Sequence, residues 1–298
     1  LGTIVPRLLN YLLTPFYVRV FASSEYGQIS ELYAWIALFL AILIFGMETT
    51  FFRFSEKENS NKVFRNAETF ILLITTIFLG AYCLLYESFA TLIHYQFNTH
   101  YVLLIGIIVA LDAIAAVPFA ILRKENNAKR FSLIKILNVT TNIFFNILFI
   151  VIIPEKAMYI AEIIFGEQTS LLIWVLISNI LASLLNIILL TPQLSKLKLG
   201  FDKDLIKAML KYSWPILLIA LIGMINEVAD KILIKYLVPV PDNETLASIH
   251  MTHDQYVMQQ LGIYSANYKL GVLMTIFIQM FRYASEPFFF GHAKSGSV

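Results

Sequence analysis

Ionisable residues lie inside or beside long apolar segments, where a charge is costly. Insertion scales put a charge at the bilayer centre at about 2.5–3.5 kcal/mol, so several together indicate ion pairing or a water-filled cavity. Two kinds of chemistry fit such residues. Guanidinium groups bind diphosphate through two parallel hydrogen bonds, and intramembrane carboxylates couple transport to cations or protons. The residues are Arg7, Glu48, Asp112, Glu227, Asp230, Lys231, Arg282 and Glu286.

Polar residues recur at helical spacing, on one face, in four of these segments. Asn, Ser and Thr in membrane helices often link neighbouring helices at about 0.6 kcal/mol per contact, so the neutral ones fit either helix contacts or a cavity lining. The four sets are Thr3, Arg7, Asn10, Tyr11 and Thr14; Lys135, Asn138, Asn142 and Asn146; Asn179, Ser183 and Asn186; and Tyr264, Tyr268, Thr275, Gln279, Arg282 and Glu286.

The charged residues leave alternatives open. Arg7 and Arg282 fit anion binding and internal salt bridges equally well. Glu227 and Lys231 are spaced i, i+4, which predicts an ion pair that leaves Asp230 available for coupling to Na⁺ or H⁺; structural pairing is the other interpretation.

Lys269 lies beside the last stripe near its predicted outer end, a position that favours an ammonium that reaches the membrane surface, with substrate binding as the alternative. The candidates for substrate binding are Arg7, Asn10, Tyr11, Lys269 and Arg282. The candidates for coupling or for lining a cavity are Glu48, Asp112, Glu227, Asp230, Lys231, Gln279 and Glu286.

The composition predicts that these residues are positioned by transmembrane helices. Hydrophobic residues make up 58% of the 298 positions and charged residues 14%, and the mean hydropathy is +0.73. A soluble domain is about 45–50% apolar and about 25% charged. We therefore expect an all-α polytopic membrane protein with about eight spans of roughly 20 residues. The predicted spans are Thr3–Phe21, Tyr33–Phe54, Thr69–Ile93, Tyr101–Leu122, Leu133–Ile153, Ser170–Leu190, Tyr212–Val238 and Ile263–Phe290.

Loop charges predict the orientation. Lys and Arg cluster between spans two and three, four and five, and six and seven, whereas His94–His100 and Pro239–Gly262 contain neither residue. Under the positive-inside rule the basic loops are cytoplasmic, and so are both ends of the chain.

The sequence offers little for other chemistry. The net charge is only +2, which gives no reason to expect nucleic acid as a partner. Cys83 is the single cysteine, and His250, His253 and Asp254 fall short of a full metal-ligand set. The sequence contains no nucleotide-binding loop and no nucleophile elbow. We expect no metal, no cofactor and no enzymatic activity.

Lysines are most regularly spaced in the predicted cytoplasmic link 192–211, which fits an amphipathic helix on the membrane surface or a solvated connection. This link is the candidate boundary between a lobe of six predicted spans, 1–191, and the two remaining predicted spans, 212–298, which the family resemblance described below implies are the first two helices of a second lobe. Because the chain opens with Leu1 inside an apolar segment and ends just after span eight, we expect that residues are missing at both ends.

Three segments resemble the Wzx-like polysaccharide flippases of the MOP transporter superfamily: "RLLNYLLTPFYVRVFASSEYG" from Arg7, "GMETTFFRF" from Gly46 and "YSANYKLGVLMTIFIQMFRYASEPFFF" from Tyr264. The resemblance implies two lobes around a central cavity, with twelve or fourteen helices in a complete protein. It also implies translocation of undecaprenyl-diphosphate-linked oligosaccharide across the bacterial inner membrane.

The resemblance leads to the hypothesis that cationic side chains hold the lipid diphosphate while the lobes rock between two states. The expected partners are this lipid-linked oligosaccharide, membrane lipids and a coupling Na⁺ or H⁺. A multidrug or lipid-precursor exporter of the same superfamily is the alternative, and an anionic cavity would favour it. A membrane-embedded glycan polymerase is a further alternative, although the longest outer loop has no Lys or Arg for an anionic donor.

Overall fold

The computed structural model describes residues 4–95, 98–166, 169–195 and 198–294, and within these ranges the protein is helical without strands. This confirms the expected all-α fold. A π-helical turn, Leu148–Ile152, extends the sixth helix. The helices are α1 (Ile4–Val20), α2 (Ser23–Ile44), α3 (Met47–Phe54), α4 (Ser60–Leu92), α5 (Thr99–Lys124), α6 (Ala128–Ile147), α7 (Pro154–Phe165), α8 (Leu172–Leu194), α9 (Lys203–Leu237), α10 (Asn243–Ser248) and α11 (His253–Lys294).

Five helical stretches of the described chain are long and apolar enough to cross a membrane. They correspond to predicted spans two to six and confirm a multi-pass membrane protein. The predicted first, seventh and eighth spans are the helices α1, α9 and α11, which are not among the five, so the number eight stays a prediction. The five stretches are Ser23–Phe54, Ser60–Leu92, Thr99–Lys124, Ala128–Ile152 and Leu172–Leu194.

Helix α5 is the centre of the bundle formed by α1 to α8, which we call the first bundle. Its residues are apolar on nearly every side, as expected for a helix surrounded by other helices. It packs against α2, α4 and α8, and more lightly against α3 and α6. Gly106 lets the ring of Tyr82 approach the α5 backbone, and the Tyr82 hydroxyl donates to the carbonyl of Val102 at 2.8 Å.

The predicted second span is broken into two helices, and its helix begins at Ser23 rather than Tyr33. Phe45 and Gly46 both adopt left-handed backbone conformations, with φ of 53° and 67°, which end α2. A Cβ on Gly46 would also collide with the side chain of Ile216 in α9. The turn redirects the chain, so that α3 carries Glu48 towards the end of α5.

Helix α9 begins within the predicted link, at Lys203, and continues to Leu237 without a break. The Asp202 side chain caps it by accepting from the N–H of Leu205 at 3.0 Å. The link is also fixed to α4, because Asn66 accepts from the N–H of Asp202 and Lys62 forms a 2.9 Å ion pair with it. Residues 203–211 are therefore the first turns of the long helix α9 rather than a separate surface helix.

Helix α2 joins the first bundle to α9 and α11, and its most extensive contact is with α11. The two backbones approach closely at Gly27 and Gly262. A Cβ on Gly27 would overlap the carbonyl of Met258, and one on Gly262 would overlap the carbonyl of Ser23. Only glycine fits this crossing, which lies at the end predicted to face outwards.

Candidate functional site

A cavity of about 720 Å³ separates the first bundle from α9 and α11. Helices α1, α2, α3, α5, α6 and α8 contribute residues to one wall, and α9 and α11 to the other. Glu48 and Arg123 lie at helix ends that the loop charges place in the cytoplasm, and both are partly exposed. The cavity therefore reaches the end of the protein that is predicted to be cytoplasmic.

An ion pair stands at this cytoplasmic mouth. Arg123 and Glu48 contact each other at 2.5 Å, which joins the last turn of α5 to α3. The Arg123 guanidinium also lies over the rings of Phe52 and Phe131, at 5.1 and 5.9 Å from their centroids. In the sequence, Arg123 is one of the basic residues between predicted spans four and five, and the structure places it in the cavity wall.

Lys135 lies one helical turn closer to the membrane centre than the mouth, on α6. Its ammonium is 3.9 Å from the centroid of Phe119, which is a cation–π contact. Asp112 on α5 also lines the cavity and accepts a 2.6 Å hydrogen bond from Ser183. Among the described residues, no carboxylate lies within 4.0 Å of the Lys135 ammonium, so the cavity contains a cation without a salt bridge.

One ion pair on the opposite wall differs from the prediction. The Lys231 ammonium forms an ion pair with Asp230 at 3.2 Å. It also donates a hydrogen bond of 2.9 Å to the backbone carbonyl of Glu227 rather than to its carboxylate. Asp230 accepts a second hydrogen bond, of 2.6 Å, from the Tyr264 hydroxyl. The predicted Glu227–Lys231 pair is therefore wrong. Glu227 lines the cavity, and Asp230 is the carboxylate that forms the ion pair.

Lys269 on α11 lines the cavity from this second wall. Like Lys135, it has no carboxylate within 4.0 Å in the described part of the protein. Its helix carries Tyr268 beside it, whose ring receives the Lys231 ammonium at 4.0 Å from the centroid. The interpretation of Lys269 as a substrate-facing residue fits this position better than an ammonium at the membrane surface.

Neutral polar side chains cover the first-bundle wall between these charges. Asn138 donates to the carbonyl of Ala182 at 2.8 Å, and Asn179 donates to the Tyr33 hydroxyl at 2.9 Å. These bonds join α6 to α8 and α8 to α2, as expected for interhelical contacts, and yet the side chains also face the cavity. The neutral polar residues of this wall are Thr14, Tyr17, Tyr26, Ser30, Tyr33, Asn138, Asn142, Asn179, Ser183 and Asn186.

A multi-helix protein with a polar cavity between two helix groups matches the architecture implied by the sequence resemblance. The family model described as "Polysaccharide biosynthesis protein" matches residues 1–291, which is nearly the whole chain. The chain belongs to the polysaccharide biosynthesis protein family. This is the family of the Wzx-like flippases of the MOP superfamily. Among curated proteins and among solved structures, no significant match to the chain was found.

In this member of the polysaccharide biosynthesis protein family, the structure brings part of the predicted site together. Glu48, Asp112, Glu227, Lys231 and Lys269 line one cavity. Tyr11 and Asp230 do not line it. The side chains of Arg7, Asn10, Gln279, Arg282 and Glu286 lie outside the described residues, so the convergence of the two arginines on one diphosphate stays a prediction.

The family member also contains cavity residues that sequence reasoning missed. Lys135 was recognised only as part of a stripe and as a loop charge, although it is in phase with the asparagines that follow it on α6. Arg123 gave no signal, because arginine at the cytoplasmic end of a span is ordinary. Tyr17, Tyr26 and Tyr33 line the cavity too, but tyrosine in an apolar segment does not by itself indicate a site.

The far end of the protein, predicted to face outwards, is closed by an ion pair. Glu31 on α2 and Lys235 on α9 contact each other at 2.9 Å, with side chains 0% and 7% exposed. Tyr95 donates to Glu31 at 2.9 Å, and the Lys235 ammonium also donates to the carbonyl of Ile93. Together with the glycine crossing, this cluster holds α2 against α9 and α11, so the cavity is closed at the end predicted to face outwards.

Proposed function

We propose that this protein is a flippase that moves undecaprenyl-diphosphate-linked oligosaccharide across the bacterial inner membrane. The product serves the synthesis of a surface polysaccharide, such as O-antigen, capsule or exopolysaccharide. Membership of the polysaccharide biosynthesis family supports the process, and the charge of the cavity supports the substrate class. No covalent step is needed, so the protein acts as a transporter rather than an enzyme.

The observation that carries the proposal is a pair of cations on opposite walls. Lys135 belongs to the first bundle and Lys269 to α11, and neither has a carboxylate within salt-bridge distance in the described structure. A diphosphate group accepts hydrogen bonds from ammonium groups, and no described carboxylate does so at either lysine. Contact with both walls would also link substrate binding to the relative position of the two helix groups.

The inward-facing arrangement fits loading from the cytoplasm, where lipid-linked sugars are assembled. Release outwards then requires the cluster of Glu31, Lys235 and Tyr95 to separate while the cytoplasmic mouth closes. Asp112 and Glu227 are the cavity carboxylates available to bind Na⁺ or a proton during this change. Coupling through them would supply the free energy that a chain without a nucleotide site needs.

The charges of the cavity do not favour the export of cationic drugs. Among the described residues, four cationic side chains and three carboxylates line it: Arg123, Lys135, Lys231 and Lys269, and Glu48, Asp112 and Glu227. Arg123 is paired with Glu48 and Lys231 with Asp230, so Lys135 and Lys269 remain beside Asp112 and Glu227, and this cavity is not predominantly anionic. A drug-cation exporter needs an anionic cavity, and a glycan polymerase needs a catalytic site that we do not find among the described residues.

The test is export of the lipid-linked glycan from a strain that lacks its own flippase. The full-length protein with Lys135→Ala or Lys269→Ala should export at least about tenfold less glycan, since a hydrogen bond to a charged group contributes about 1.5–3 kcal/mol. Lys207→Ala, on the exposed cytoplasmic part of α9, is the matched control and should export normally.

Protein abundance must be measured beside export. Normal abundance with lost export is the expected result for both cavity variants. Normal export by both variants at normal abundance would remove the two lysines from the substrate site. Export of a cationic dye, but not of the glycan, by the wild-type protein would favour the multidrug alternative.

A further inference from the structure

The neutral wall of the cavity contains four carboxamides at helical spacing on two adjacent helices. Asn138 and Asn142 are one turn apart on α6, and Asn179 and Asn186 are two turns apart on α8. We call these four residues the amide wall. Helices α6 and α8 pack directly together, so the four side chains form one continuous surface.

Hydrogen bonds hold the side chains of the amide wall in place, and some of their donors and acceptors stay without a partner. Asn138 and Asn179 are anchored through their amide nitrogens, and Asn142 accepts at its oxygen from Asn146 at 2.9 Å. The oxygen of Asn138 and the nitrogen of Asn142 have no hydrogen-bond partner among the described residues. Each carboxamide has two donors and an acceptor, so this wall presents both to the cavity.

Two buried atoms strengthen this observation. The Asn186 side chain is 5% exposed, and its oxygen has no partner within the described structure. Ser265, on the facing wall formed by α11, is 2% exposed, and its hydroxyl is also without a partner. A buried polar atom without a hydrogen bond is costly, so each of these two atoms needs a water molecule or a ligand as its partner.

The charge and the position of the amide wall indicate which class of ligand it binds. The amide wall is neutral, and Tyr17, Tyr26 and Tyr33 line the cavity next to it. Neutral amides that offer donors and acceptors match sugar hydroxyls, and the tyrosine rings match the apolar faces of sugar rings. The wall begins one turn from Lys135 at Asn138, and Asn142 lies about 10 Å from Lys135 along α6, given a rise of about 1.5 Å per residue.

We propose that the amide wall is a glycan subsite, which binds the sugars closest to the diphosphate while Lys135 binds the diphosphate itself. This inference rests on the proposed function, because it assumes that the substrate is a lipid-linked oligosaccharide. It adds a substrate preference to that function: the protein binds a glycosylated carrier lipid more tightly than the bare carrier lipid.

The experiment measures the binding of two lipids to the purified full-length protein in nanodiscs. One probe is undecaprenyl diphosphate, and the other is the undecaprenyl-diphosphate-linked oligosaccharide extracted from the strain that encodes the protein. Wild type should bind the glycosylated lipid more tightly. Asn138→Leu and Asn186→Leu should each weaken that binding at least about fivefold, the effect of leaving a polar partner unpaired, and should leave undecaprenyl diphosphate binding unchanged.

Control variants separate the two subsites and the two proposals. Lys135→Ala should weaken the binding of both lipids, and Asn267→Leu, an exposed α11 residue outside the cavity wall, should weaken neither. Asn138→Ala and Asn186→Ala repeat the measurement with a smaller side chain. Equal effects on both lipids, or no effect on either, in all four asparagine variants would overturn the glycan subsite. Failure of the wild-type protein to bind either lipid would instead overturn the proposed function.

Discussion

Glu31 and Lys235 form a salt bridge that joins α2 of the first bundle to α9, and both side chains are almost inaccessible to solvent. Helix α9 is separated from α2 by most of the chain, so this contact links the two helix groups. The pair lies at the end that the loop charges place outside. Outward opening of the cavity must therefore break it.

The pair should show strong energetic coupling. Either Glu31→Gln or Lys235→Met leaves one buried charge without its partner, and this should lower the free energy of unfolding by about 3–5 kcal/mol. The double variant removes both charges and should lose less than the sum of the single variants. The free energies of unfolding of the wild type, the two single variants and the double variant are measured on the purified protein by tryptophan fluorescence. The exposed pair Arg53 and Glu56, 3.9 Å apart, is the control, and its removal should change little. Additive losses at Glu31 and Lys235 would contradict the coupling.

Cross-linking the outer end should stop transport. Cysteines at positions 31 and 235, in a Cys83→Ser background, can be joined by a short reducible thiol cross-linker because the native side chains meet there. Glycan export should fall to background after cross-linking and return to the level of the untreated variant after reduction. The single-cysteine variants, treated in the same way, should not change. Continued export by the cross-linked protein would show that the outer end need not open here.

The glycine crossing should tolerate no side chain. Gly27→Ala and Gly262→Ala place a Cβ against a backbone carbonyl of the opposing helix, so both should lower the midpoint temperature of unfolding. Gly80→Ala is the control, because a Cβ at Gly80 in α4 meets no atom within 4 Å. Alanine there should be neutral or stabilising by up to about 1 kcal/mol, since glycine is a poor helix former. An unchanged midpoint in Gly262→Ala would mean that the helices separate at little cost.

The cytoplasmic link should respond to acid. A hydrogen bond from Lys62 and another from the N–H of Leu205 lower the pKa of the Asp202 carboxyl below its usual value. A lowered folded-state pKa stabilises the protein above the unfolded-state pKa, and this contribution is lost as the pH falls through the folded-state value. Wild type should therefore be more stable than Asp202→Asn at neutral pH, and the difference should disappear in acid. Asparagine keeps the helix cap, so the comparison isolates the charge. A difference that is independent of pH would contradict this account.

Much of the candidate site could be predicted because a charge in an apolar segment is conspicuous. Glu48, Asp112, Glu227 and Lys231 stood out for this reason, and all four line the cavity, whereas Asp230 stood out in the same way and does not line it. The ion pairs could not be predicted. Spacing along α9 favoured Glu227 as the partner of Lys231, whereas the side chain pairs with Asp230, which Tyr264 on α11 holds in place.

The sequence by itself determined the class of protein, because a chain that is 58% hydrophobic and 14% charged has no soluble solution and lipid permits few spanning structures other than helices. It also determined the predicted orientation and the family resemblance, since both depend on local patterns of residues. Only the tertiary structure decided that Lys135 faces a cavity and that Glu31 meets Lys235. These relationships join residues far apart in the chain, and their positions depend on how the helices pack, which helical periodicity alone does not specify.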